Sequence, residues 1–218
     1  MNPYSHLVLA SKLEPNIKPE DCRGYYWGAV APDVRYPAGI QRSQTHLAPE
    51  KILEFMADYP HLKSFLQGYL VHCLADEIEL GKIFFQHIPF SFFKRQMTRQ
   101  NMAVSLEIYY FENEKMNLQT SGTYNEVLCE LGLREAVCTK FSQSFNHYAA
   151  SSSSIETRFM ELFQMLGLEN DNHIEKYWAA VQGFQKNPFL FSAVFFGMRT
   201  GKISQQIVNA ISAQLNNR

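Results

Sequence analysis

Two residues of metal-ligand type, His72 and Asp76, stand four positions apart in a stretch of helical periodicity. Residues at this spacing lie on one face of a helix, about one turn apart, so an imidazole nitrogen and a carboxylate oxygen can converge on one cation. The same spacing also occurs in ordinary hydrogen-bonded His–Asp pairs, and on its own it favours that structural interpretation. The pair therefore indicates a metal site only if further ligands accompany it.

Three more residues of ligand type precede the pair. His6 lies near the amino end, Asp33 follows an apolar turn, and His46 comes before the next predicted helix. Together with His72 and Asp76 they provide nitrogen and oxygen donors of borderline softness, a set that suits zinc and can also bind manganese, iron or nickel. We expect a divalent metal cofactor, although spacing alone does not bring the five residues together.

The order of these residues and their flanking segments matches a known pattern. The segments are, in chain order, Ser5-His6, Trp27-Gly28-Ala29-Val30-Ala31-Pro32-Asp33, Thr45-His46 and Phe65-Leu66-Gln67-Gly68-Tyr69-Leu70-Val71-His72-Cys73-Leu74-Ala75-Asp76. Over residues 1–80 the chain resembles the bacterial zinc-dependent phospholipase C family. The resemblance implies an all-α fold and a cluster of three metals that attacks a phosphodiester. It implies that one zinc ion is held by Asp33, His46, His72 and Asp76. It also implies that Asp76 bridges to a second zinc bound by His6.

The chain departs from the family pattern at the remaining metal ligands. The family's third zinc takes a histidine after the His-x-x-x-Asp helix and then a His-x-x-x-Glu pair, whereas here Lys82 stands near the first position and Ala103 replaces the second histidine. By the resemblance, Glu107 is the ligand that remains there, and His87 could substitute for the first. Secreted members also use a processed amino-terminal tryptophan for the second zinc, whereas this chain begins at Met1. We therefore expect one complete zinc site, a less complete second site and no third.

The resemblance and the donor set together predict a metal-dependent hydrolase of a phosphoester. A bound divalent metal lowers the pKa of water from about 15.7 to about 7 and so supplies hydroxide near neutral pH. Asp33 would act as both ligand and proton acceptor, and Asp76 as the bridging carboxylate, so these two are the predicted catalytic residues. The substrate would be a small-molecule or lipid phosphoester.

A different interpretation is a non-catalytic helical binding or scaffold protein that keeps a structural or vestigial metal site. In a structural site the protein fills every coordination position, whereas a catalytic site leaves one open to water. Four predicted ligands for the first zinc would suit a closed site. The sequence leaves this alternative open.

Two arginines, Arg35 and Arg42, fall between Asp33 and His46. They could hold phosphate oxygens through charge-assisted, bidentate hydrogen bonds. Alternatively, both are solvent-facing charges of an ordinary loop.

The elements that must position these residues are helices. Apolar residues recur at intervals of three and four along most of the chain, and no alternating runs joined by Asn-Gly or Asp-Gly turns indicate strands. The sequence predicts helices at Tyr4–Leu13, Arg23–Val30, Pro49–Ala57, Leu62–Phe85, Phe90–Glu112, Tyr124–Leu131, Arg134–His147, Ile174–Phe184 and Ile203–Leu215, and one more that Ser153 and Glu156 begin as a capping box. Loops are predicted at Pro32–Pro49, Asn113–Gly122 and Ser151–Ser154. We expect residues 1–218 to form a single all-α domain.

Composition excludes several classes of protein. The 218 residues carry 20 basic and 21 acidic side chains, a formal net charge of −1, so an electrostatic nucleic-acid binder is not expected. The longest nearly unbroken apolar run, Phe189–Met198, is about half of the ~20 residues that a membrane span requires. Met1–Ser11 holds no lysine or arginine, unlike a secretory signal. We therefore expect a cytoplasmic protein without a transmembrane segment, and the sequence does not indicate its oligomeric state.

Overall fold

The computed structural model describes residues 1–87, 98–116, 120, 124–168, 175, 178–179, 181–182 and 195–217. Within these ranges the regular structure is helical and no strand is present, which confirms the predicted all-α fold. Residues 90–97 of the predicted helix Phe90–Glu112 and most of the predicted helix Ile174–Phe184 lie outside the described residues. None of the helices in these ranges has the combination of length and hydropathy that a bilayer crossing requires.

The described helices agree with most of the predicted ones. In chain order they are α1 (Pro3–Ile17), α2 (Cys22–Val30), α3 (Arg35–Ala38), α4 (Arg42–Thr45), α5 (Pro49–Asp58), α6 (Lys63–Glu77), α7 (Leu80–His87), α8 (Arg99–Asn113), α9 (Glu126–Glu130), α10 (Glu135–Ala150), α11 (Ile155–Met165) and α12 (Lys202–Asn216). Two short 3-10 helices, Ala31–Val34 and Pro60–Leu62, precede α3 and α6. The helices α1, α2, α5, α9, α10 and α12 confirm predicted helices, with ends that differ by no more than four residues. The helix α8 confirms the later part of Phe90–Glu112.

The predicted helix Leu62–Phe85 is two helices in the structure, so this prediction was wrong at its centre. The helix α6 ends before Ile78, which is extended (φ −62°, ψ 126°), and α7 begins at Leu80. The guanidinium of Arg99 donates to the Asp76 carbonyl at 3.1 Å, an acceptor that a continuous helix would use for its own hydrogen bonds. Ile78 and Leu80 are both buried, so the apolar pattern continues across the break and conceals it in the sequence.

The segment Pro32–Pro49, predicted as an irregular loop, is largely folded into short helical turns. The 3-10 helix Ala31–Val34 leads directly into α3, which is followed by Gly39 in the left-handed conformation (φ 67°). The helix α4 comes next, and the side chains of Gln41 and Gln44 form a capping box at its start. Caps and a turn glycine, rather than apolar periodicity, define these turns, so the sequence pattern does not reveal them.

The helix predicted after Ser153 is α11, and its cap lies one residue later than expected. The hydroxyl of Ser154 accepts a hydrogen bond from the Thr157 backbone N–H at 3.3 Å, in place of the predicted pairing of Ser153 with Glu156. Both serines offer the same hydroxyl acceptor, so the sequence locates this helix start only to within a residue.

The core around the predicted ligands lies between α1, α2, α6 and α8. The helix α1 contacts the other three, and fully buried side chains such as Leu7, Trp27 and Leu66 fill the space between them. Burial of apolar side chains is the main favourable contribution to such a fold. The ligand residues are therefore carried by elements that the core holds in place.

The helices α2 and α6 cross with their backbones in direct contact at two glycines. A Cβ atom added to Gly28 would lie 1.9 Å from the Phe65 carbonyl oxygen, and one added to Gly68 would lie 1.8 Å from the Tyr25 carbonyl oxygen. Both distances are far shorter than a van der Waals contact, so this crossing requires glycine at both positions. The close approach brings the carbonyl of Ala29, in the last turn of α2, against α6.

Candidate metal centre

The five predicted ligands of the first two zinc sites converge in the structure, although they come from four separate elements. His6 belongs to α1, Asp33 to the 3-10 helix after α2, and His46 to the end of α4. His72 and Asp76 lie one turn apart on α6. Ligand atoms of His6, Asp33 and His72 lie within 4.8 Å of one another. Those of His46, His72 and Asp76 form a second such group, so His72 joins all five into one cluster.

The orientation of His72 is fixed by the crossing of α2 and α6. Its Nδ1 lies 2.8 Å from the carbonyl oxygen of Ala29, so Nδ1 carries the proton and donates. The Nε2 atom is left with its lone pair directed at the cluster, 3.2 Å from Nε2 of His46. A backbone acceptor that fixes the tautomer in this way is the usual support of a metal-binding histidine.

His6 and Asp33 contribute buried polar atoms that lack hydrogen-bond partners. The His6 ring stacks on His72 with 3.8 Å between centroids, and its Nε2 lies 3.3 Å from Oδ1 of Asp76. Neither nitrogen of His6 makes a hydrogen bond of acceptable geometry within the described residues, and neither does Oδ2 of Asp33. Buried polar groups in proteins are nearly always paired, so these three atoms are candidates for binding a ligand.

The spacing of the donor atoms fits a tetrahedral metal site. Two corners of a zinc tetrahedron lie about 3.3 Å apart, since each ligand atom lies about 2.0 Å from the ion. The corresponding distances are 3.2 Å between the His46 and His72 nitrogens and 3.1 Å between His46 Nε2 and Oδ2 of Asp76. The residues present therefore fit a divalent metal.

The electrostatics of the cluster keep its ligands in the protonation states that metal binding requires. Burial lowers the pKa of His6 to about 4 and also lowers the pKa values of His46 and His72. Burial by itself would raise the pKa of Asp76, but the Met1 amine, His46 and His6 hold that pKa well below its usual range. The imidazoles are therefore neutral and the Asp76 carboxylate is ionised at neutral pH.

Among the described residues, Asp76 forms ion pairs with cationic groups and Asp33 forms none. Burial, together with the nearby Asp76 carboxylate, raises the pKa of Asp33 to about 7. Asp76 instead accepts hydrogen bonds from the Met1 amine and, at 2.6 Å, from Nη1 of Arg42. The Asp76 carboxylate is therefore already paired within the protein, whereas the Asp33 carboxylate can pair with an added cation.

Glu107 does not enter either ligand group among the described residues. Its carboxylate is fully buried and accepts hydrogen bonds from the Ser5 backbone N–H at 2.9 Å, the Ser5 hydroxyl at 2.5 Å and the Tyr148 hydroxyl at 2.8 Å. Lys82 forms a surface ion pair with Glu79, and His87 ends α7 outside both groups. The structure therefore brings together five of the six predicted ligands. The sixth, Glu107, is hydrogen-bonded instead to Ser5, the residue before His6.

The sequence analysis assigned no role to the two glycines of the α2–α6 crossing or to the residues that bind Glu107. Gly28 and Gly68 interrupt predicted helices at a cost of about 1 kcal/mol each relative to alanine, and that cost is the signal that could have indicated close packing. No comparable signal marks Ser5 or Tyr148, which meet Glu107 only through the tertiary fold.

Comparison of the chain with protein-family models, with curated proteins and with solved structures finds no match.

Proposed function

We propose that this protein binds a divalent metal, zinc by the chemistry of its ligands, and hydrolyses a phosphoester with metal-activated water. The observation that carries the proposal is the convergence of five buried donors, three of whose atoms lack hydrogen-bond partners within the described residues. The resemblance of residues 1–80 to zinc-dependent phospholipase C supports the same chemistry, with the same five residues as ligands.

Two ions would share Asp76. The first would be held by His46, His72, Asp33 and Asp76, and the second would be held in part by His6 and Asp76. The two oxygens of Asp76 support this division, because Oδ2 lies 3.1 Å from His46 and Oδ1 lies 3.3 Å from His6. A carboxylate with one oxygen toward each ion is suited to a bridging role.

The carboxylates of the cluster carry the proposed chemistry. Zinc, when bound, would supply hydroxide near neutral pH by lowering the pKa of water to about 7. Asp33 would be the proton acceptor, and Asp76 would be the carboxylate that the ions share. The neutral imidazoles of His6 and His72 add no charge, so the positive charge of the metal stays available for a phosphate group.

A structural metal site in a non-catalytic helical protein is the second candidate. It is favoured by the number of protein donors, because His46, His72, Asp33 and Asp76 would fill the four positions of one zinc ion and leave none for water. The two candidates differ in the expected number of ions, since a second ion bound through His6 restores an open position.

The test is the zinc content of the purified, zinc-replete protein by elemental mass spectrometry. We expect two equivalents per chain in the wild type, loss of the second ion in His6→Ala, and loss of the first ion in His72→Ala. The matched control is His61→Ala, because His61 is exposed and pairs with Glu126 at the surface, outside both ligand groups. Retained helicity by circular dichroism excludes unfolding as the cause.

The same preparations are then assayed on chromogenic phosphomonoesters and phosphodiesters. Hydrolysis that disappears in His72→Ala supports the enzyme. One equivalent that His6→Ala does not change, without hydrolysis, supports the structural site. Absence of zinc from the replete wild type contradicts both.

A further inference from the structure

Arg42 lies at the edge of the candidate metal centre, where its guanidinium is hydrogen-bonded to Asp76 on one side and exposed to solvent on the other. Nη1 of Arg42 donates to Oδ2 of Asp76 at 2.6 Å, which fixes this end of the side chain against the cluster. The Arg42 side chain is nevertheless 45% exposed, compared with 4% for Asp76. Because a guanidinium has five N–H donors in a planar fork, Arg42 can bind a second acceptor from the solvent side while it holds Asp76.

A second guanidinium belongs to the same segment of chain. The guanidinium carbon of Arg35 lies 3.7 Å from the centroid of the Tyr36 ring, a stacking contact that restricts its plane. Its Nε is buried and has no hydrogen-bond partner within the described residues. Both arginines are held next to candidate ligands by backbone hydrogen bonds, since the Arg35 N–H donates to the Asp33 carbonyl and the His46 N–H donates to the Arg42 carbonyl at 2.8 Å.

The charges around the cluster favour a dianion. The carboxylates of Asp33 and Asp76 contribute two negative charges once they are metal ligands, whereas Arg35, Arg42 and the Met1 amine contribute three positive charges. The centre is therefore positive before any divalent ion binds, and each ion adds two further positive charges. A phosphomonoester at neutral pH carries nearly two negative charges and a phosphodiester carries one, so the monoester is attracted more strongly.

We infer that Arg35 and Arg42 form a phosphate-binding site at the metal centre, and that the substrate is a phosphomonoester rather than a lipid phosphodiester. The inference rests on the proposed function, because it concerns the substrate of the same metal centre. In the reaction, the water oxygen forms a new bond to phosphorus and the ester P–O bond breaks. The leaving alcohol takes a proton, and the products are the alcohol and inorganic phosphate.

The test is isothermal titration calorimetry of the zinc-loaded protein with inorganic phosphate, methyl phosphate and dimethyl phosphate. We expect methyl phosphate to bind at least about tenfold more tightly than dimethyl phosphate. We expect Arg42→Ala and Arg35→Ala each to weaken phosphate binding about tenfold, and Arg42→Lys to recover part of the loss because it keeps the charge but not the fork. Arg23→Ala is the matched control, since Arg23 is an exposed arginine in the first turn of α2.

The zinc content of every variant is measured on the same samples, so two failures can be told apart. A protein that takes up no zinc overturns the metal centre and this inference together. A zinc-loaded protein whose phosphate affinity does not change in Arg42→Ala and Arg35→Ala overturns the inference alone. Equal affinity for the two methyl esters, or faster hydrolysis of a chromogenic diester than of the monoester, also overturns it.

Discussion

Two regions of this molecule bury a carboxylate at nearly the same depth and treat it in opposite ways. Glu107 accepts three hydrogen bonds, from the backbone and hydroxyl of Ser5 and from the hydroxyl of Tyr148. At the metal centre, Oδ2 of Asp33 and both nitrogens of His6 lack partners within the described residues. A buried polar group that is fully paired stabilises and orders its surroundings, whereas an unpaired one is costly unless a ligand completes it. The comparison therefore indicates a structural role for Glu107 and leaves the candidate cluster with polar atoms that a bound ligand would complete.

The two regions meet at the start of α1. Ser5, which binds Glu107, directly precedes His6, and Asn2 at the N-cap of α1 makes no side-chain capping bond. Glu107 thus supplies from α8 the acceptor that the start of α1 needs, and a carboxylate at a helix amino end is also favoured by the helix dipole. Through Glu107 and Tyr148, the helices α8 and α10 support the turn that carries His6.

The largest effect is expected from removing the paired carboxylate. Glu107→Ala leaves the Ser5 N–H and the Tyr148 hydroxyl without an acceptor and opens a cavity, so we expect the free energy of unfolding to fall by about 3 kcal/mol. Glu107→Gln keeps an acceptor and the volume and is expected to cost about 1 kcal/mol or less. The measurement is urea denaturation followed by circular dichroism. Glu112→Ala on the exposed face of α8 is the control, with an expected change within about 0.5 kcal/mol.

The zinc content of Glu107→Gln separates the two roles that this residue could have. An unchanged number of zinc equivalents supports the structural role. A lost equivalent would mean that Glu107 is a metal ligand, as the family resemblance implied, and would remove the distinction between the two regions.

At the candidate metal centre, removing the charge of a buried carboxylate is expected to stabilise the metal-free fold. Asp33→Asn replaces a buried carboxylate whose Oδ2 has no partner within the described residues, so in the presence of a chelator we expect it to stabilise the metal-free fold by about 2 kcal/mol at pH 8. Burial raises the pKa of Asp33 from 3.8 to about 7, so this carboxyl group ionises at a higher pH in the folded protein than in the unfolded chain. The free energy of unfolding of the wild type therefore falls as the pH rises between those two values. The advantage of Asp33→Asn is therefore absent near pH 4 and complete above pH 7, which denaturation at a series of pH values measures.

In the presence of zinc, we expect the wild type to be more stable than Asp33→Asn. Binding to the native state stabilises the wild type, whereas Asp33→Asn has lost a ligand and gains less. The exposed residue Asp58 provides the control, and Asp58→Asn is expected to leave stability within about 0.5 kcal/mol at every pH. If Asp33→Asn destabilises the metal-free protein at pH 8, the carboxylate has a structural partner and the comparison fails.

The sequence was sufficient to predict most of the described helices and the residues that converge as candidate ligands, but not the contacts that hold those residues in place. Apolar residues at intervals of three and four indicate α6, although nearly all of its residues are buried, and His72 and Asp76 share a face because residues four apart always do. The carbonyl of Ala29 reaches His72 only because Gly28 and Gly68 let two backbones touch, a tertiary contact without a periodic signal. The partners of Glu107 are 102 and 41 positions away in the chain, so sequence spacing could not connect them.

The smallest of the expected effects concerns one hydroxyl of the paired region. Tyr148→Phe removes the hydrogen bond to Oε1 of Glu107 but keeps the ring, which packs edge-on against Phe111 at 5.1 Å. We expect a loss of about 1 kcal/mol, the usual net value of one buried hydrogen bond, and no change in zinc content. Tyr59→Phe is the control, because the Tyr59 hydroxyl contacts Glu130 at the surface, where such a bond contributes little. A zinc equivalent lost in Tyr148→Phe would show that the two regions act as one site, because removing a partner of Glu107 would then weaken zinc binding by the candidate ligands.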